Sequence, residues 1–431
     1  MRVPVSLSNA FLQNFDTFFG NFLVQHEYLP DLDSLQSKRF LTRSVAPHVK
    51  TLSNLFNRRE GDQTDGIDHE TYFSDGANPA NRRLAYFMSF MPCNVFRVAS
   101  VWAELHRLGW KWPFLNADFR GIEFGAGTAS GACGIMLGEQ HARLGLPSTG
   151  SFALIEQSRT VLDLGTKWFD AYSEYLSTAE VPSTIRARPF HRKIDLSSTW
   201  LPPSAPKFQI MVMSFFLNES PLSSESLARQ FVKNCEKHLE DEGVVIIVEP
   251  AMKLQSRKLL EFRKALLEVS DVKTEKVSLK VLLPCLGHQT CGALSLQDDW
   301  CHEEVGWWRP LYLRQLDSMV GLDRKTLPFS YLVIQKSKRT REELLPTITG
   351  PREQQYRLVS PSHALGRDHE FYLCGVEGKR KSRFRVPENK IIPNRGDILT
   401  HAQIRGELQL SQIDSALVVQ PVTESSEELK E

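Results

Sequence analysis

Between residues 120 and 336 the chain alternates short, nearly continuous apolar runs with amphipathic helical stretches, and this restricts its fold more than any other feature. GIEFGAG closes a first strand, SFALIEQ forms a second, and the helical SRTVLDLGTKWFDAYSEYL follows. PKFQIMVMSFFLNES holds a buried strand, SLARQFVKNCEKHLEDEG a helix, GVVIIVEP another strand and KLQSRKLLEFRKALLEV another helix, with FSYLVIQK as a late strand. Strands that lack polar alternation are buried on both faces. The pattern therefore predicts the α/β class, a parallel sheet covered by helices on both sides.

A chain of 431 residues has room for more than one domain. Residues 1–115 read as an N-terminal helical region. In VFRVASVWAELHRLG the apolar Val95, Val98, Trp102, Leu105 and Leu108 recur every three or four positions, and Gly109 closes the helix. The polar stretch at 58–83 reads as a long loop. The sheet domain spans 116–340, with a cysteine-rich insertion at 281–310. From 341 to 421 the texture changes to short strands, predicting a small β domain with a barrel as one solution, and 422–431 is expected to be a disordered tail.

With 52 basic and 51 acidic residues, net charge points to no nucleic-acid partner, so any such surface must come from local clustering. No apolar run approaches the roughly 18 to 20 residues that cross a membrane, so no membrane partner is expected. A monomer is the expectation. The first residues lack a signal peptide's basic start, apolar core and cleavage site, and seven cysteines is an odd number, so a reducing compartment is expected.

In IEFGAGTASG, Glu123, Gly125 and Gly127 form E-x-G-x-G on a strand-to-helix turn, where glycines let a ligand approach the backbone and the helix N-terminus favours a polar group. A dinucleotide fingerprint would place glycine where Ser130 stands. An acidic residue two positions before the first glycine suits S-adenosylmethionine instead. Glu156 ends the second strand, where a carboxylate can accept both ribose hydroxyls. Asp195 sits where an adenine-edge contact could fall, and a plain loop aspartate fits the position equally well. Ser214 completes the cofactor set at the end of the strand leading to Asn218 and Glu219. That strand end lacks the Asn/Asp-Pro-Pro-aromatic tetrapeptide that binds an amine nucleophile, so neither a catalytic residue nor a methyl acceptor is legible.

Cys285, Cys291 and Cys301 give C-x5-C-x9-C, and 72 residues separate the third from Cys374. Four thiolates can complete a shell for zinc or for an iron–sulfur cluster, and His288 or His302 can replace a thiolate on zinc. The spacing does not choose between them. Cys93, Cys133 and Cys235 fall in helical stretches and read as packing residues. Two basic clusters could track an RNA backbone: Lys379, Arg380, Lys381, Arg383 and Arg385 around Phe384, and Lys253, Arg257, Lys258, Arg263 and Lys264 after Pro250.

Taken in order over residues 85–400, IEFGAG, ALIEQS, VMSFFLNES, IIVEP with its basic helix, P-C-x5-C ending in D-W-C-H, FSYLVIQK and YLCGVEGK resemble the Rsm-type methyltransferase-like proteins of the small ribosomal subunit, found in mitochondria and many bacteria. The resemblance implies a class I S-adenosylmethionine-dependent methyltransferase fold, a 4Fe-4S cluster on the four cysteines, and association with the small subunit or its rRNA during assembly. It implies a bacterial cytoplasmic location or, alternatively, the mitochondrial matrix. Two activities fit it: rRNA methyl transfer, or an assembly factor that keeps the pocket without turnover. Family loops tend towards D-F-G-S-G-x-G-T. Here Glu123 and Ala129 depart from that pattern, and the methyl group at 129 is expected to narrow the cofactor space.

Overall fold

A computed structural model of the chain describes residues 2–56, 69–74, 78–114, 118–177, 183–270, 278–286, 291–348, 352–366, 368–376, 378–385, 393–400, 404–405 and 417–419. Eight strands form the main sheet: β1 (Phe119–Phe124), β2 (Thr149–Glu156), β3 (Thr184–His191), β4 (Phe208–Ser214), β5 (Leu239–Glu249), β6 (Leu279–Leu283), β7 (Glu303–Gly306) and β8 (Thr326–Lys336). Their order is β3-β2-β1-β4-β5-β8-β6, and β7 pairs with the first residues of β8. The first five strands are mutually parallel, with Ile122 beside Ala153 on one side and Met211 on the other. β8 runs antiparallel to both β5 and β6. Parallel strands with one antiparallel strand inserted between the fifth and sixth is the class I methyltransferase topology that the resemblance implied; the alternation predicted the parallel core but not the reversed direction of FSYLVIQK.

The helices that cover the sheet are α1 (Asn9–Gln25), α2 (Ala46–Phe56), α3 (Pro79–Arg107), α4 (Ser130–Ala142), α5 (Arg159–Leu176), α6 (Ser224–His238), α7 (Lys253–Ser270) and α8 (Leu311–Val320). On one face α3, α4 and α5 bury Trp102, Trp168 and Phe152. On the other, α6 and α7 meet through Phe231 and Phe262, whose rings stack edge to face at 5.3 Å. The Ser8 hydroxyl caps α1 by accepting from the Phe11 N–H at 3.1 Å. That helix then lays Phe19 and Phe22 edge-on against Trp168 at 5.4 and 5.0 Å, so the N-terminal region is built onto the sheet domain.

Three expectations change. The helix read at 95–109 begins at Pro79, a residue suited to the first helical turn, and residues 69–74 within the expected loop are also helical. Most of α3 is buried from Leu84 to Leu105, but it opens on Asn81, Arg82 and Arg83, whose polar character reads as a continuation of the preceding loop. Its apolar window is long enough to cross a membrane, yet 78% of that window is buried inside the molecule, as befits a core helix. The cysteine-rich stretch begins inside β6 and contains β7, so it connects two strands that both pair with β8.

Beyond the main sheet, β9 (Gln355–Leu358), β10 (His363–Leu365), β11 (Asp368–Gly375), β12 (Gly378–Arg385), β13 (Ile398–Thr400), β14 (Ile404–Arg405) and β15 (Leu417–Val419) form a second, mostly antiparallel sheet in the order β13-β9-β11-β12-β15-β14, with β10 on β11. Tyr356, Leu358, Phe371, Leu373 and Leu399 make its small core. The expected tail lies outside the described residues.

Candidate functional site

The glycine loop opens into a cavity of about 1030 Å³ at the carboxyl ends of β1, β2 and β4, the usual ligand position in an open parallel sheet. Gly125, Gly127, Glu156, Asp195 and Ser214, five of the six residues expected to bind cofactor, line it. Gly127 adopts φ +51°, and a Cβ there would fall 2.8 Å from the Tyr86 hydroxyl oxygen, so both conformation and space require glycine. Its N–H donates to Glu156 Oε2 at 2.9 Å, and the Ser158 N–H donates to Glu156 Oε1 at 2.9 Å. Each carboxylate oxygen keeps a lone pair for a further donor. Asp195 is exposed and accepts from the Ser197 N–H and hydroxyl at 2.8 and 2.6 Å.

Glu123, the sixth, lies beneath the loop. It is fully buried and accepts from the Gly131 and Ala132 N–H groups, both at 2.8 Å, so it holds the start of α4 and does not line the cavity. Burial pushes its carboxyl up to about 8 against the lowering effect of those two bonds. Ala129 also departs from expectation. It takes φ +59°, and its methyl group is buried in the main core and does not intrude on the cavity.

The loop after β4 supplies the opposite wall. Phe215 sits at φ +58°, an outlier for a bulky residue, with the Arg97 guanidinium 5.4 Å over its ring. Glu249, which burial raises to about 7, accepts from the Leu217 N–H at 2.7 Å and from the Asn218 backbone and side-chain amides. Lys258 Nζ donates to the Asn218 carbonyl at 2.9 Å and to that of Ser220. Among the described residues, five buried polar atoms on cavity-lining side chains have no hydrogen-bond partner: Arg97 Nε, Ser214 Oγ, Gln255 Oε1, Trp300 Nε1 and His302 Nδ1.

Tyr86, Arg97, Trp300 and His302 all line the cavity, and sequence reading assigned none of them to it. Tyr86 comes from the first half of α3, which was not read as helix, and Arg97 from the recognised half, where no spacing marked it as a ligand contact. Trp300 and His302 flank Cys301, so the cysteine stretch itself forms part of the cavity wall.

The four thiols expected to act together are near enough to influence one another's ionisation. Burial raises Cys301, and Cys285, Cys374 and Cys291 each add to the rise. Burial lifts Cys374 to about 12 with help from Cys285 and Cys291, and Cys291 rises through burial and Cys285. All six pairs therefore interact. Arg263 faces Cys291 and Cys374, Arg341 faces Cys285, Arg357 faces Cys301 and Lys379 faces Cys374. Close backbone contact brings the two cysteine-bearing segments together: a Cβ on Gly292 would lie 2.1 Å from the Lys379 nitrogen, at the start of β12. Among the described residues, no group of three or more His, Cys, Asp or Glu is drawn tightly enough to hold a single metal ion. His288 lies outside the described residues. Cys93, Cys133 and Cys235 are buried and unpaired by disulfides.

Most of the basic residues singled out from sequence are engaged internally. Lys379 pairs with Asp299 and Lys253 with Asp298, both at 2.7 Å, while Lys381 pairs with Glu370 at 2.8 Å. Arg257 donates to the carbonyls of Ala293, Leu296 and Asp299, Arg380 lies over the Tyr356 ring, and Arg263 is buried. Lys264 pairs with Glu268 on an exposed helix face. The side chains of Arg383, Phe384 and Arg385 lie outside the described residues.

Solved structures similar to this chain include the plantazolicin methyltransferase BpumL in complex with SAH (12% identity, TM-score 0.34, 62% of this chain and 93% of that one). Others are the precorrin-6y C5,15-methyltransferase of Geobacter metallireducens (12%, 0.30, 56% and 88%) and the Methanococcus jannaschii fibrillarin pre-rRNA processing protein (12%, 0.27, 56% and 75%). Comparison with curated proteins gave no match. A family model described as "Mitochondrial small ribosomal subunit Rsm22" matches residues 123–386, which is more than half of the chain and takes in the glycine loop, Glu156, Ser214 and all four cysteines. The chain belongs to the Rsm22 family of the mitochondrial small ribosomal subunit.

Proposed function

We propose that this protein binds S-adenosylmethionine in the cavity at the ends of β1, β2 and β4, acts on the small ribosomal subunit with rRNA as its target, and holds a 4Fe-4S cluster on Cys285, Cys291, Cys301 and Cys374. The observation that carries the cofactor reading is the Gly127–Glu156 bond. It fixes the loop backbone beside a carboxylate that still has lone pairs for two ribose hydroxyls. The bound cofactor would supply an electrophilic methyl group. Ser214, Gln255, Trp300 and His302 present donors and acceptors without protein partners, which the edge of a nucleobase could satisfy.

The donor set fits a cluster. Four soft thiols that all interact with one another suit iron–sulfur ligation, and the surrounding Arg263, Arg341, Arg357 and Lys379 offset the charge of four thiolates. Zinc on the same four thiolates is the chemical rival, and the family resemblance favours the cluster over it. A cluster here would join the β6–β7 connection to the second sheet through Cys374, a structural role. The family's mitochondrial description favours the matrix over the bacterial cytoplasm.

A docking factor that binds cofactor without turnover is the second reading. It is favoured by the loop after β4, whose polar groups Glu249 and Lys258 already occupy. Titration calorimetry with S-adenosylmethionine tests the shared part. Glu156→Ala should weaken binding about ten- to a hundredfold, and unchanged affinity would remove the cavity as the site. Transfer of tritiated methyl groups to small-subunit particles separates the two readings.

A further inference from the structure

The strand TIRARPFH was not recognised in the sequence, and it carries a surface that the basic clusters named above do not supply. β3 is an edge strand of the main sheet, paired only with β2 among the described strands. Alternate side chains of a strand share a face, so Arg186, Arg188 and Phe190 form one row, and Arg192 continues the spacing just beyond the strand. All four are exposed, and Phe190 keeps 50% of its surface in solvent. Ile185 points the other way and is buried in the main core. Arg192 and Lys193 then line the mouth of the cavity.

The charge of this row is unopposed. Residues 184–194 contain no acid, and no ion pair or hydrogen bond among the described residues engages the guanidinium groups of Arg186, Arg188 or Arg192. Two acids next to the strand are committed elsewhere: Asp170 accepts from the Ala187 N–H at 2.8 Å, and Asp195 accepts from Ser197. This contrasts with Lys253, Lys379 and Lys381, each of which pairs with a carboxylate.

We infer that the exposed row of β3 is a docking track for single-stranded RNA, leading its backbone to the cavity mouth. The inference deepens the cofactor reading and rests on it for the direction of the track. Arginines spaced about 6.6 Å apart along an extended strand can meet successive phosphates of an extended RNA chain, and the exposed phenyl ring between them offers a base a stacking partner. An aromatic at the centre of the row favours unpaired bases over a duplex, whose bases are already stacked.

The test is fluorescence anisotropy of the full chain with a labelled oligouridine of about 16 nucleotides across a salt series. Each phosphate contact contributes about 0.7 to the log–log salt slope for single strands, so Arg186→Gln/Arg188→Gln should reduce the slope by about 1.4. Phe190→Ala should weaken binding roughly tenfold and leave the slope unchanged. Affinity for S-adenosylmethionine, measured separately, should stay at the wild-type value in all these variants. A wild-type salt slope in the double variant would overturn the proposal. So would equal affinity for a duplex, displacement of the RNA by polyglutamate at matching charge, or the absence of RNA binding in a chain that still binds cofactor. If the wild-type chain bound RNA through β3 but took up no cofactor, the cofactor reading would fail and the track would stand.

Discussion

Arg357 Nη1 lies 3.1 Å from Glu104 Oε1, a contact that joins β9 of the second sheet to α3 across 253 residues of sequence. Both side chains are buried, and the contact belongs to a network. Arg2 and Arg107 also reach Glu104, while Arg357 reaches Glu303 at 2.9 Å and the Tyr331 hydroxyl at 3.0 Å. Burial alone would raise the Glu104 carboxyl, but Arg2, Arg107 and Arg357 outweigh it and hold it well below the usual carboxylate range.

Arg357→Met should therefore destabilise the protein by about 3 to 5 kcal/mol, because it leaves Glu303 buried without its guanidinium partner. Equilibrium denaturation read by tryptophan fluorescence measures this. The depressed Glu104 carboxyl contributes stability that is complete above its unfolded value and is lost only as pH falls through its folded value. Acid unfolding of the wild type from this group should thus begin below about pH 4.5. Glu104→Gln should remove that part of the acid transition.

Glu123 has the opposite sign. Its folded carboxyl titrates near 8, above the unfolded value near 4.5, so between those limits the folded state binds more protons. Its contribution makes stability fall as pH rises from about 4.5 to about 8 and level off beyond. Glu123→Gln should flatten that slope while losing one of the two bonds to the start of α4. Unfolding midpoints from pH 5 to 8.5 would show it, and an unchanged slope would mean that the carboxylate is ionised throughout.

Gly127→Ala should cost about 1 to 2 kcal/mol from the left-handed backbone alone, with a further penalty where the new methyl group meets the Tyr86 hydroxyl oxygen. Because the Gly127 N–H orients Glu156, cofactor affinity should fall at least tenfold. Thermal unfolding and calorimetry read the two effects. Ala129→Gly, whose side chain lies in the core, should leave cofactor affinity unchanged.

The cysteine site predicts a split between ligands and bystanders. Cys374→Ser should lower iron and acid-labile sulfide and loosen the second sheet, because metal binding and folding are coupled. Cys235→Ala, a buried thiol remote in role, should leave iron content intact. Gly292→Ala alters no sulfur, yet its Cβ would collide with the Lys379 backbone and should reduce iron loading. Metal and sulfide assays on anaerobically purified protein decide these. Stoichiometric zinc without sulfide would keep the cage and replace the cluster.

Local sequence pattern was enough to establish the parallel core, the glycine turn and the strand-end position of Glu156, and to single out the cysteines at 285–301 as a candidate site. Each is written in short-range signals: apolar runs bounded by turns, a glycine pair at a strand end, cysteines in a Pro, Gly and Asp-Trp setting. The edge strand β3 and the first half of α3 escaped because polar residues mask them locally. An edge strand with a solvent-facing basic row shows no apolar run, and α3 opens on Asn81, Arg82 and Arg83, whose polar character reads as a continuation of the preceding loop. Only tertiary structure put Glu123 beneath the loop, Ala129 in the core, Tyr86 and His302 around one cavity, and Arg257 and Lys258 against internal carbonyls. Those placements depend on contacts between residues tens to hundreds of positions apart. Their energies come from burial and charge pairing in three dimensions, which no local spacing encodes.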